Sequence, residues 1–556
     1  QRLQWVSLSI RRTVLKLAIM DTDIIMVVPK QPSLIWPALI VSSLVCQLAV
    51  AGDWQLNPGI VADSYLYQLK QQDNTSWDEG AALALSPNVE LLFSSKHLLS
   101  ALDWKQKHIF YDDKQRDDRS LDYVNFNNRL SAFDNRLQWT VNASESYRIR
   151  NSQRGIFADE ITGFSDLSKT RNLGTSLSLQ TAPHRETQTA LSLTARKIDS
   201  ERPDNDDALG NFSNEFYAAN LAVGKRRRDS EFYWQFNSRY SESARDAGND
   251  LTSESADLTV GVPLIRKLAW ISRARYENND LFTNYTNEFR SVGTGIEYRF
   301  GTVSYLNATY NWYRQQQLLE EEDSYWAFDM LLAPTRRSSL QVTVDRRYYG
   351  RSVEVAGSYR LQRLSARLTY NERVTVTNGL DQIFNDLGLF VCPGAFSDIT
   401  DCFVPPSANY QLLPGESLQN FVETDIEISE NVVLRKGGSF SLAYDRNRLA
   451  LGLNLRRTED EYVESNRLNK TKGASLNASW RLSPLMTLTS EINFYEIEYS
   501  LENRKDQNLQ FKGGLKVELN EHSDISVNLR RVERDSNQQQ FDLQENRVWL
   551  SYEYQF

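Results

Sequence analysis

Residue types able to do acid–base or nucleophilic chemistry are scarce in this chain. Its four histidines are His97, His108, His184 and His522. Three of them fall in predicted short turns, and His108 lies in the strand-like segment WKQKHIF. A hydrolase built in a membrane wall would need a general base close to a nucleophile or an activated water. No Ser-His-acid set can be read from the spacing, so the chain is expected to be no enzyme and to carry no cofactor. The acidic runs Asp112-Asp113, Asp204 to Asp207 and Glu320 to Asp323 offer oxygen ligands, but none follows the EF-hand order. They read as solvated loop faces, and no metal site is expected. Cys392 and Cys402 stand in VCPGAFSDITDC with no second pair or nearby histidine for zinc. A disulfide in an exported loop is the expectation.

The remaining chemistry is ionic. Arg299, Arg367, Arg456, Lys512, Lys516 and Arg530, with Glu297 and Glu518, occupy the polar positions of segments that alternate apolar and polar residues. In LQFKGGLKVELN, the set Leu509, Phe511, Gly513, Leu515, Val517, Leu519 opposes Gln510, Lys512, Gly514, Lys516, Glu518, Asn520. RLALGLNLRR, VGTGIEYRF and LSARLTYNE repeat the scheme. A period of two gives a strand two unlike faces. Here it matches a barrel wall with apolar residues toward lipid and polar residues toward a wet lumen. The basic residues are then expected to line that lumen, where they would meet anionic groups as charge rings do in selective pores. A satisfied charge ladder that stabilises the inner wall is the plainer reading, and the two are compatible.

The elements that must position these residues are counted from their joints. Short turns are predicted at 96–97, 133–135, 182–184, 225–229, 263–266, 300–301, 333–335, 361–363, 445–447, 483–485 and 520–523. Between them lie longer polar loops: RNSQRGIFADEITGFSDLSK, ERPDNDDALGNFSN, QQLLEEEDS and the region 378–428. The expected fold is all-β, a single transmembrane antiparallel barrel of about 24 strands, within a range of roughly 22 to 26, with short periplasmic turns and long extracellular loops. A β-propeller is the main rival, since the turns recur at roughly 37 residues. The strands are too long for blades, and no Gly-His or Trp-Asp signature accompanies them.

Residues 1–51 read as a signal-peptide region whose true start is expected at Met26, with Lys30, an apolar run from Leu34 and a cleavage pattern Ala49-Val50-Ala51. The expected barrel is 52–556, with 378–428 as its large extracellular loop. Removing five basic and two acidic residues with the leader leaves 58 against 70, a formal charge of −12. That balance argues against a nucleic-acid partner. The last segment, NRVWLSYEYQF, places Tyr552, Tyr554 and Phe556 at alternate positions. It resembles the C-terminal targeting strand of bacterial outer-membrane barrels, which implies the Gram-negative outer membrane and the barrel-assembly machinery as a partner.

GDWQLNPGIVADSYLY carries the spacing W-x-x-x-P-x-x-x-x-x-x-Y. With ALSPNVELLFSSKHLLSALDWKQKHIFY, ENVVLRKGGSFSLAYDRNRLALGLNLRR and ENRVWLSYEYQF, it resembles the outer-membrane barrels associated with the PEP-CTERM/exosortase system. The family's usual Thr-Asp-Asn-Val is replaced by Leu66-Tyr67-Gln68 after Tyr65. The resemblance implies exopolysaccharide export through a pore or conduit. Its expected partners are membrane lipid and lipopolysaccharide, an anionic polysaccharide and periplasmic export proteins. The alternatives are a structural or adhesive barrel that anchors surface polymer, and a general porin. A TonB-dependent receptor is disfavoured, since the first predicted strand begins at about Trp54.

Overall fold

The computed structural model describes residues 52–556 apart from 72–76, 113–115, 151–155, 182–184, 205–209, 226–230, 247–249, 283–284, 302, 317–319, 336, 377–385, 394–415, 423–431, 447 and 463–466. The leader reading over 1–51 lies outside the described residues.

Alternating segments of 10 to 19 residues extend as strands. The first eight are β1 (Asp53–Gln71), β2 (Asp78–Ser94), β3 (Leu98–Tyr111), β4 (Arg119–Ala132), β5 (Leu137–Ile149), β6 (Leu167–Gln180), β7 (Thr187–Ser200) and β8 (Phe212–Lys225). They continue as β9 (Tyr233–Arg245), β10 (Leu251–Ile265), β11 (Leu268–Phe282), β12 (Tyr285–Arg299), β13 (Tyr305–Gln316), β14 (Glu320–Thr335), β15 (Ser338–Arg347), β16 (Gly350–Arg360) and β17 (Leu364–Val376). A separate pair, β18 (Asp386–Pro393) and β19 (Glu416–Val422), lies within the large connection. The wall resumes with β20 (Val432–Arg446), β21 (Leu449–Tyr462), β22 (Leu468–Ser483), β23 (Met486–Tyr499), β24 (Arg504–Asn520), β25 (Ser523–Ser536) and β26 (Leu543–Gln555).

Every neighbour in the wall is antiparallel, and the sheet has 24 strands. β17 pairs β20, bypassing the β18–β19 hairpin. β1 pairs both β2 and β26, in a register from Gly59↔Gln555 to Gln71↔Leu543, so the sheet closes on itself. The Phe556 N–H donates to Pro58 O at 2.9 Å and extends that closure. Closure removes the unpaired edges that an open sheet would expose.

The predicted short turns that are described fall at one end of the wall, the end where β1 begins and β26 ends, while 182–184, 226–229 and 447 lie outside the described residues. One is built by Phe133, Asp134 and Asn135, all at positive φ (53°, 56° and 63°). Asp and Asn tolerate that conformation; for Phe133 it is unusual. Outer connections are less uniform than expected. β15 and β16 are joined by Tyr348 and Tyr349 alone. Glu320 to Ser324 of the predicted loop QQLLEEEDS belong to β14, because each pairs a residue of β13 from Gln316 to Trp312.

The two faces differ as the alternation requires. In β26 Val548, Leu550 and Tyr552 are exposed, whereas Glu545 and Arg547 are 3% and 5% exposed. The same exposed apolar row continues through Leu529, Leu509, Phe494, Leu476 and Leu455 on neighbouring strands. Among the described residues no helix is long and apolar enough to cross a membrane, which leaves crossing by strands untouched. The polar face is concave, because its side chains make contacts that skip several strands.

Candidate functional site

The connection between β5 and β6 folds onto the concave face. A loop carrying Phe157, Ile161 and Phe164 among polar residues has apolar surface to bury, and it buries it inward. Ile161 is 3% exposed in a cluster with Tyr65, Tyr67, Ala82, Ala84, Ile109 and Leu121. Asp159 closes the loop on itself by accepting the N–H groups of Ile161 (3.0 Å) and Thr162 (3.2 Å), as Asp does in turns.

The same Asp159 reaches the far side of the closure. Arg547 on β26 donates two hydrogen bonds to its carboxylate at 2.7 and 2.9 Å, and Arg530 on β25 donates a third. Paired N–H groups on one carboxylate are the strong, direction-fixing form of this contact. Thr162 Oγ1 donates to Glu545 at 3.0 Å and accepts from Arg547 at 2.9 Å. Phe157 packs beside Tyr495 of β23, its carbonyl accepting from Arg530.

Next to it, Glu160 turns toward β3 and β4. Lys107 donates to its carboxylate at 2.9 Å, and the Tyr123 hydroxyl donates as well. Tyr111 donates to the carbonyls of Glu160 and Ile161 at 3.1 and 3.0 Å. Burial pushes the Glu160 carboxyl up, but the Lys107 ammonium and the two hydrogen bonds outweigh it and hold the group below the usual carboxylate range. The loop is thus latched through two adjacent acids to four strands of the wall.

A second inward cluster stands in another sector. Arg275 of β11 pairs Asp345 of β15 at 2.7 Å, Arg273 pairs the same carboxylate at 3.0 Å, and Arg347 of β15 pairs Glu277 at 2.7 Å. Four strand intervals are about 19 Å along a sheet. Contact across them means that the wall bends sharply here. Toward the outer end, Phe289, Tyr313, Tyr348 and Val432 form a buried cluster flanked by Leu251, Tyr325, Tyr349 and Val374. Side chains from β10 to β20 meet in it, so this sector also fills its own concavity.

The predicted lumen residues fall on the concave face, at separate places around it. Arg299 pairs Glu297 at 2.6 Å and lies over the Tyr233 ring. Arg367 is exposed, opposite Ser441, and Arg456 is half-buried, opposite Ser439 and Gly473. Lys512 pairs Glu491 at 3.2 Å, Lys516 pairs Asp524 at 3.1 Å, and Glu518 stands opposite Asp524 near the short-turn end. Arg530 touches the inserted loop. Tyr552 and Phe556 are exposed on the apolar face, with Tyr554 stacked edge-on against Phe556. The proposed Cys392–Cys402 bridge lies outside the described residues.

Glu320 to Asp323, read as a loop face, are a correction. They stand at the outer end of β14, where Arg314 pairs Glu320 at 3.0 Å and the Tyr313 hydroxyl donates to Glu321 at 2.6 Å. Asp159, Glu160, Lys107, Tyr123 and Arg547 were not singled out by sequence reasoning. The available signal was the apolar content of FADEITGF within a polar loop.

Residues 458–556, from β21 to the last residue, match the family model described as "Putative beta-barrel porin 2". The chain is an outer-membrane β-barrel. Its setting is the outer membrane of a Gram-negative bacterium. No sequence among curated proteins matches it. Similar solved structures include the siderophore receptor PirA from Acinetobacter baumannii, at 9% identity over 90% of this chain and 80% of that one, TM-score 0.41. The FrpB iron transporter from Neisseria meningitidis gives 9% identity, coverage of 90% and 82%, and a TM-score of 0.37. OccK2 from Pseudomonas aeruginosa gives 10% identity, coverage of 90% and 98%, and a TM-score of 0.34. Likeness at this level extends to no ligand and no mode of transport.

Proposed function

We propose that the barrel is a non-enzymatic conduit by which an anionic exopolysaccharide crosses the outer membrane. The observation that supports this most directly is the polar inner face, on which Arg367, Arg456, Lys512 and Lys516 stand along β17, β21 and β24. Arg and Lys suit carboxylate or phosphate groups on a passing polymer, and neighbouring Asn and Ser suit hydroxyls. A barrel of this strand number is wide, and the inserted loop narrows it. The sequence resemblance to PEP-CTERM/exosortase-associated barrels points to the same polymer class. Periplasmic export proteins would deliver the chain to the short-turn end.

The test is planar-bilayer recording of the refolded protein. Lys512→Glu with Lys516→Glu should shift ion selectivity toward cations, and an acidic oligosaccharide should block the wild-type pore and spare the variant. Unchanged selectivity in a conducting variant would remove these lysines from the path. A folded barrel that never conducts would favour the polymer-anchoring alternative.

A further inference from the structure

On the outer face the strands outrun the membrane. A tilted strand crosses the hydrocarbon in about 9–11 residues, whereas β20 to β24 hold 14 to 17. The surplus at the outer end is charged. In β21 the lipid-facing row Leu451, Leu453, Leu455 gives way to Arg457 and Glu459; in β22 Leu476 and Ala474 give way to Lys472 and Lys470. In β23 Ile492 and Phe494 are followed by Glu496 and Glu498, and in β20 Phe440 lies two steps below Lys436.

Register sorts these side chains into two rows. Gly438, Arg457, Lys472 and Glu496 face one another across four strands, and above them run Lys436, Glu459, Lys470, Glu498 and Lys505. The rows hold five cations and three carboxylates. At the corresponding level of β7 to β10, Lys197 is outnumbered by Asp199, Glu215, Glu242 and Glu254. The positive excess therefore belongs to the β20–β24 sector and is not general to the belt.

Lys505 is held by Glu496 and Glu498 at 3.0 and 3.4 Å, and the other four cations are available to a ligand. The Arg457 and Lys472 side chains are 70% and 55% exposed, although each has a carboxylate nearby (Glu459 at 3.3 Å, Glu496 at 2.7 Å). Among the described residues Lys436 and Lys470 make no ion pair. Beside Arg457 the Tyr370 ring closes over Gly438, where an added Cβ would meet Tyr370 Cδ2 at 3.2 Å and Thr369 O at 2.9 Å.

We propose that this sector docks the phosphorylated sugar headgroup of an outer-leaflet glycolipid. Arg457 stands one two-residue step, about 7 Å, beyond Leu455, so its guanidinium lies at headgroup depth when Leu455 faces acyl chains. Its planar fork matches phosphate oxygens. Lys436, Lys470 and Lys472 add point charges around it. Basic clusters next to a bilayer attract anionic headgroups by roughly 1 kcal/mol per cation, and the membrane holds that ligand against this face at high local concentration.

The experiment measures binding of bis-phosphorylated lipid A, in zwitterionic detergent micelles, to the full mature protein. Arg457→Glu with Lys472→Glu should weaken binding about tenfold or more. Dephosphorylated lipid A should bind the wild type as weakly as phosphorylated lipid A binds the variant. Lys197→Glu, in the acidic sector, should leave binding unchanged. Arg457→Gln with Lys472→Gln provides a milder pair, and retention of heat-modifiable gel mobility reports folding for each. Equal binding by wild type and both double variants would overturn the site. So would undiminished binding of the dephosphorylated lipid, or inorganic phosphate competing as tightly as lipid A, which would mark a soluble-anion site. Binding that requires added calcium would assign the contact to Glu459 and Glu496 and overturn the direct cation–phosphate form. None of these readouts depends on whether the barrel conducts.

Discussion

Two neighbouring acids, Asp159 and Glu160, decide where the inserted loop rests. Asp159 pairs Arg530 and Arg547, whose side chains are 4% and 5% exposed, so its loss leaves both cations to share Glu545, at 3.6 and 2.6 Å. Asp159→Asn should weaken docking by about 2 kcal/mol. Limited proteolysis of the loop in refolded barrels would show faster cleavage, with the β-sheet signal unchanged. Glu160 adds a pH dependence whose sign is fixed by its lowered pKa. A carboxylate depressed in the folded state stabilises that state above its ordinary pKa, near 4.3, and loses the contribution as pH falls through the folded value. Docking should therefore be level from pH 7 to about pH 5 and weaken as pH falls below the ordinary carboxylate value of about 4.3. Current noise recorded across that range checks it, and a transition near neutral pH would contradict the assignment.

At the scale of elements, the loop and the bent wall are separate devices. Replacing 157–164 by a Gly-Ser stretch removes the Ile161 anchor and both acids while leaving β5 and β6 paired over Leu137↔Leu179 to Ile149↔Leu167. Single-channel conductance should rise, because the loop occupies part of the cross-section. An unchanged step would mean that the narrowest point lies elsewhere, for example at the Phe289–Tyr313–Tyr348 cluster. The bend between β11 and β15 depends on Asp345, which is 6% exposed and holds two guanidinium groups. Asp345→Asn takes that carboxylate from Arg273 while Arg275 keeps Asp257, and it should destabilise the barrel by about 1–3 kcal/mol. A lowered urea midpoint at constant slope would show it.

For the whole molecule, a closed sheet of 24 strands has no free edge, and its stability is spread over every interstrand ladder. Its outside is divided into an apolar band and a charged outer belt, and its inside into a latched loop, a bent sector and the polar wall between them. The charge of −12 on 52–556 gives no hint of this division. It arises because alternation sends carboxylates and cations to both faces, where different neighbours meet them.

The strand number, the short turns that are described and the identity of the apolar face were legible in the sequence. A strand's side-chain period is two whatever it pairs with, and turn residues signal locally. The terminal Tyr552 and Phe556 could be assigned to the apolar face for the same reason. What only the tertiary structure decided was which residues share a space. Asp159 meets Arg547 across 388 positions and Arg275 meets Asp345 across 70, contacts set by closure and curvature that no local pattern encodes. Glu320 to Asp323 were misplaced because an acidic run looks like a solvated loop until a partner strand with Arg314 is brought beside it.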